Sequence, residues 1–131
     1  MNDEKRKFKI MLVDDDQFLI DMYSLKFNQS EHTVQPCFSV DEAIKTLQGG
    51  FMPDAVIFDL VMPGKDGFDL LRAIKEGKLA QGATLIALTN QSAAEEKKKT
   101  EELGAENYIV KAMTIPSEVV RQVEEIISAK K

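Results

Sequence analysis

Cysteine and histidine each occur once in the 131 residues, which leaves few thiols or imidazoles for redox or metal chemistry. Cys37 has no second cysteine to pair with, so an intramolecular disulfide is excluded, and its setting in Val34-Gln35-Pro36-Cys37-Phe38 reads as buried packing. His32 precedes a strand pattern with no ligand set nearby and reads as a surface loop residue. A basic excess is also missing. Seventeen Lys and Arg against 22 Asp and Glu give a formal net charge of -5 and argue against a nucleic-acid partner. The N-terminus offers neither a signal peptide nor a membrane span, because the charged Met1 to Lys7 leads into a short apolar run, Phe8 to Val13, broken by Lys9. No repeat, low-complexity tract or linker divides the chain. These absences point to one globular domain, 44% hydrophobic and 30% charged, expected to stay in the cytoplasm, away from membranes.

What is present alternates between short apolar runs and longer helical patterns, the signature of repeated βα units around a parallel sheet. Strands are predicted at about Phe8 to Val13, Thr33 to Phe38, Ala55 to Asp59, Thr84 to Thr89 and Asn107 to Val110. Helices are predicted at about Gln17 to Asn28, from the capping box Ser39-Val40-Asp41-Glu42 to Gly49, at Gly67 to Glu76, from a second capping box Ser92 to Glu95 up to Gly104, and at Pro116 to Ser128. The first helix is expected to turn Phe18, Met22 and Leu25 inward, with Leu19 and Tyr23 beside them. Pro36 assigns the second strand to an edge, where a missing donor is tolerated. Lys97-Lys98-Lys99 reads as solvated helix surface. The resulting fold is α/β, a flavodoxin-like (βα)5 doubly wound sheet of strand order 2-1-3-4-5.

In that topology ligands collect outside the carboxyl ends of the strands, where one and three adjoin. Those ends are Asp14 and Asp15, Asp59, Thr89 and Lys111. Three carboxylates packed together repel one another, and a hard divalent cation resolves the conflict. Mg²⁺ is expected, with Asp15 and Asp59 as direct ligands, Asp14 holding a metal-bound water and the Val61 carbonyl completing the protein's share. Asp59 then stands as a nucleophile toward phosphorus, with Lys111 neutralising the phosphoryl oxygens and the Thr89 hydroxyl bonding one of them.

Four stretches in order, Ile10 to Asp16, Val56 to Gly67, Ala87 to Thr89 and Tyr108 to Lys111, resemble the receiver domains of bacterial two-component response regulators. The resemblance runs from about Phe8 to Ile127. It implies that Asp59 accepts phosphate from a histidine kinase or phosphotransfer protein, that Asp14 and Asp15 serve Mg²⁺, and that Thr89 and Tyr108 act as the switch. The switch would change the face formed by the fourth helix, fifth strand and fifth helix, where a downstream protein docks, and the domain would work as a monomer or a phosphorylation-dependent dimer. The chain departs from the family at Ala112, where proline with a cis bond is usual. A cis bond before a non-proline costs about 2.5 to 4 kcal/mol, so a trans loop or retained strain is expected there. Asn90 is larger than the usual small residue, and Val61 and Gln91 occupy positions that in the family tune phosphate lifetime. The chain ends soon after the last helix pattern, so either a single-domain receiver that signals by docking or a fragment of a larger protein is expected. A second reading is a pseudo-receiver, an interaction module that does not use phosphate. A phosphatase with an aspartyl-phosphate intermediate would want an acid two residues beyond the nucleophile, and Val61 stands there.

Overall fold

The computed structural model describes residues 6–89, 94–105, 107–111 and 114–130. Asn90, Gln91, Ser92 and Ala112, which carried expectations above, lie outside them. The chain alternates β1 (Lys9–Val13), α1 (Gln17–Gln29), β2 (Thr33–Cys37), α2 (Val40–Gln48), β3 (Ala55–Phe58), α3 (Gly67–Gly77), β4 (Thr84–Thr89), α4 (Ala94–Glu102), β5 (Asn107–Val110) and α5 (Pro116–Lys130). All strand pairs are parallel, in the order β2-β1-β3-β4-β5. The expected edge position of Pro36 holds, because β2 pairs with β1 alone.

The central strands are apolar on both sides because both sides are covered. Met11, Val13, Val56 and Phe58 face a cluster with α2 and α3, while Ile10, Leu12, Ala55 and Ile57 face a second cluster with α1 and α5. Each large side chain fully buried this way contributes roughly 1.5–3 kcal/mol. Caps set the helix starts: Asp16 accepts from the Leu19 N–H, and the Ser39 hydroxyl accepts from the Glu42 N–H. Asp66 and Asp69 form a reciprocal capping box at α3. Phe68, Leu71 and Ile74 are buried as the periodicity requires, and so are Val119, Val120, Val123 and Ile127 of α5, with Ile126 packed against them. Lys97 to Lys99 are exposed, as expected. No described helix is long and apolar enough to cross a membrane.

Two expectations are corrected. In α1 the sheet-facing side chains are Ile20, Tyr23 and Phe27, with Leu19 and Met22 packed beside them, whereas Phe18 and Leu25 are 76% and 57% exposed. The helix carries apolar residues on two faces, so its periodicity left the phase open, and packing against the sheet selected the face of Ile20, Tyr23 and Phe27. His32 is not a surface loop residue but is 3% exposed. Its ring stacks on Phe8 at 5.3 Å between centroids. The Phe8 N–H donates to Nδ1 at 3.0 Å, which makes Nδ1 the acceptor and Nε2 the donor toward Glu124 Oε2 at 2.7 Å. One imidazole thus ties the start of β1 to α5.

Candidate functional site

The backbone ladder carries the acids to one rim. The Asp14 N–H donates to the Cys37 carbonyl and the Asp59 N–H to the Val13 carbonyl, at 3.1 and 3.0 Å, so each residue continues its strand by one position before the chain turns. The carboxylates of Asp14, Asp15 and Asp59 come within 4.8 Å of one another. Asp14 is buried, Asp59 half-buried and Asp15 exposed. Lys111, one residue beyond β5, reaches across the sheet ends. Its Nζ donates to Asp14 Oδ2 at 2.8 Å and to Asp59 Oδ2 at 3.2 Å. The remaining oxygens are held locally: Asp14 Oδ1 accepts from the Asp16 N–H, and Asp59 Oδ1 from the Val61 N–H.

Burial pushes the Asp59 carboxyl above the ordinary carboxylate range; the Lys111 charge opposes this, the Asp14 charge adds to it, and the net direction is upward. For Lys111 burial acts downward, but hydrogen bonds and charges of Asp14 and Asp59 outweigh it and raise the ammonium above its ordinary value. Three carboxylates against one ammonium leave a formal charge of minus two on an all-oxygen donor set. That chemistry fits a hard divalent cation, and Asp14, Asp15 and Asp59 could hold it.

Thr89 is fully buried at the end of β4, paired in register with Val110, the residue before Lys111. Val61 is 56% exposed, and its N–H, already bonded to Asp59, is the contact the structure records for it. Tyr108 lies half-buried on β5 opposite Ala87, against the cluster on the α2 and α3 side.

Two residues of the site escaped the sequence reading. Gly67 was read only as the start of the third helix, yet a Cβ there would stand 2.5 Å from the Asp59 carbonyl oxygen and 2.9 Å from Leu60 Cα. Its role is close approach of α3 to the strand end, and a poor helix former in the first turn of a helix is the signal for it. Tyr23, read only as helix packing, lines a small cavity together with Asp14 and Asp59.

Comparison with known proteins agrees with this geometry. The family model for the response regulator receiver domain matches residues 10–124. The chain is 30% identical over 126 residues to the transcriptional regulatory protein ResD of Bacillus subtilis, covering 95% of this chain and 50% of that protein. It is 29% identical over 121 residues to the chemotaxis protein CheY of Halobacterium salinarum, covering 92% of this chain and 98% of that one. The chain thus spans about half the length of several of its relatives, ResD among them, and nearly all of CheY. Among solved structures, the Vibrio cholerae chemotaxis protein CheY4 superposes with a TM-score of 0.84 at 22% identity, over 92% of this chain and 99% of that one. The response regulator DrrB of Thermotoga maritima does so with a TM-score of 0.79 at 26% identity, over 96% of this chain and 55% of that one.

Proposed function

The chain belongs to the response regulator receiver domain family, and from that membership we propose that it accepts a phosphoryl group on Asp59 and thereby changes a protein-docking face. The observation that carries this reading is the Lys111 ammonium suspended between Asp14 and Asp59 at 2.8 and 3.2 Å, in a rim whose charge suits a divalent cation. Receiver domains work with histidine kinases or phosphotransfer proteins, and the donor here is read as a phosphohistidine on such a partner, or a small acyl phosphate. An Asp59 carboxylate oxygen attacks phosphorus. The P–N bond breaks, its electron pair stays on the imidazole nitrogen, which takes a proton, and a P–O bond to Asp59 forms.

Magnesium held by Asp14, Asp15 and Asp59 with the Val61 carbonyl would supply positive charge against the repulsion between carboxylate and phosphoryl oxygens. Lys111 moves from its carboxylate partners onto a phosphoryl oxygen, and the Thr89 hydroxyl donates to another. Return to the resting state is attack of water on phosphorus, which restores the Asp59 carboxylate and releases phosphate; Val61, being apolar, cannot orient that water. The signal leaves through Thr89 and Tyr108 to the face of α4, β5 and α5, where a protein target docks. The proposed setting is the cytoplasm.

The test is addition of beryllofluoride with Mg²⁺ to the labelled protein. Amide shifts around Asp59 that spread to Tyr108 are expected. A spectrum unchanged on addition would instead identify an interaction module that makes no use of phosphate.

A further inference from the structure

The helices α2 and α4 are each nine residues long, yet they are attached to the body very differently. Neither can hold its backbone bonds alone, because isolated helices shorter than about 12–15 residues are marginal in water and depend on an apolar face packed against something else. α2 buries Val40, Ala43 and Leu47. α4 reads Ala94-Glu95-Glu96-Lys97-Lys98-Lys99-Thr100-Glu101-Glu102, and among its described side chains Thr100 alone is buried. The Thr100 hydroxyl turns back on its own helix and donates to the Lys97 carbonyl at 2.7 Å, so that bond ties α4 to no neighbour. Just past the helix, Leu103 packs against the cluster on the α3 side and Ala105 is buried, which anchors the C-terminal end. The remaining hold is a charge. The Lys99 ammonium stands 4.3 Å from the centroid of the Phe68 ring, within cation–π range, and Phe68 is a buried residue in the first turn of α3. Phe68 is itself fixed, because Gly67 before it is pressed against the Asp59 and Leu60 backbone and donates its N–H to the Leu60 carbonyl at 3.1 Å.

We propose that Lys99 is a clamp that holds α4 folded against α3 through the face of Phe68, and that α4 opens locally, apart from the rest of the domain, when the ammonium leaves the ring. A helix that is polar all round has no apolar face to keep it in place, so this one side chain shifts the balance between closed and open α4. The bearing on docking rests on the proposed function above: α4 supplies one side of the docking face, and a partner that recognises α4 as a helix draws it toward the closed form. The clamp itself is a property of the resting fold and needs no phosphoryl group.

The experiment is solvent-exchange NMR on the whole chain, reading the amides of Lys98 to Leu103 with the hydrogen-bonded amides of α2 as the internal reference. Exchange about tenfold or more faster in α4 than in α2, after correction for intrinsic rates, is expected. Lys99→Gln, which keeps most of the stem and removes the charge, should speed α4 exchange a further threefold to fivefold, roughly one cation–π contact, and leave α2 and the thermal midpoint unchanged. Lys99→Arg should restore the wild-type rate, since a guanidinium also stacks on a ring. Phe68→Leu should speed α4 exchange as Lys99→Gln does, and the two together should bring no further change. In wild type the Lys99 ε-methylene protons should stand upfield, in the ring current of Phe68. Amides of α4 that exchange as slowly as those of α2, a Lys99→Gln protein that exchanges like wild type, or ε-methylene protons at ordinary positions would each overturn the clamp and leave the phosphoacceptor reading standing. An Asp59 amide that ignores beryllofluoride with Mg²⁺ overturns that reading, and with it the bearing of the clamp on docking.

Discussion

Replacing Gly67 with alanine should damage the site from beneath, without touching any of its acids. The new Cβ would lie 2.5 Å from the Asp59 carbonyl oxygen, 2.9 Å from Leu60 Cα and 3.0 Å from Leu60 Cδ2. The first two are backbone atoms and cannot swing away as a side chain would. Reaching ordinary contact near 3.4 Å requires an opening of about 0.9 Å. The approach it must undo is held by the Gly67 N–H donating to the Leu60 carbonyl at 3.1 Å. Overpacking of this kind costs roughly 1–3 kcal/mol and a weakened hydrogen bond about 1 kcal/mol, against a helix-propensity gain of up to about 1 kcal/mol. The net is a loss of about 2 kcal/mol, read as a lower urea midpoint at unchanged slope. Since the nearest clashing atom is the carbonyl oxygen of Asp59 itself, phosphorylation by acetyl phosphate should also slow by about 10- to 100-fold. Gly82→Ala is the control: its φ of +83° makes alanine strained, but no atom lies within 4 Å of the new Cβ. It should cost about 1–2 kcal/mol and leave the rate unchanged. A Gly67→Ala protein as stable and as fast as wild type would refute the close-approach argument.

Lys111→Met removes the ammonium between two carboxylates that are each largely buried. The metal-free protein should lose about 2 kcal/mol, while Mg²⁺ binds more tightly by isothermal titration because a competing cation has gone; weaker Mg²⁺ binding would count against the charge argument. Asp59→Asn should act oppositely. Burial raises the folded-state pKa of Asp59, so the folded state holds its proton more tightly than the unfolded chain, and stability is lost as pH rises from the ordinary value of about 3.9 through the higher folded one. The neutral amide avoids that loss, and urea unfolding at neutral pH should find the metal-free variant more stable than wild type, with the difference vanishing in acid. His32→Ala takes the acceptor from the Phe8 N–H and the donor from Glu124 and opens a hole beside Phe8. A loss of about 3 kcal/mol is expected by thermal or urea unfolding, and a loss under 0.5 kcal/mol would return His32 to the surface.

The sheet and its acids were legible because both rest on local pattern plus a topological rule. A buried strand reads as an apolar run, and parallel connection then puts Asp14, Asp15, Asp59, Thr89 and Lys111 at one end of the sheet. The phase of α1 was not legible. Phe18 and Leu25 repeat at helical spacing as well as Ile20, Tyr23 and Phe27 do, and only the sheet decides between the two sets. His32 was missed for a different reason: its neighbours in sequence are polar, and its burial comes from Phe8, Phe27 and a glutamate 92 residues away. Gly67 and Tyr23 look ordinary for a turn and a helix, and their bearing on Asp59 exists only once α3 and α1 are packed against the strand ends.

The central claim is that Asp59 carries the phosphoryl group, and reductive trapping tests it most directly. Protein incubated with acetyl phosphate and Mg²⁺ is treated with borohydride, which converts an aspartyl phosphate to homoserine, and its peptides are sequenced by mass spectrometry. Homoserine at position 59, and at no other aspartate, is the predicted result, with none in Asp59→Asn. Homoserine at Asp14 or Asp15 instead, or equal trapping in Asp59→Asn, would contradict the account.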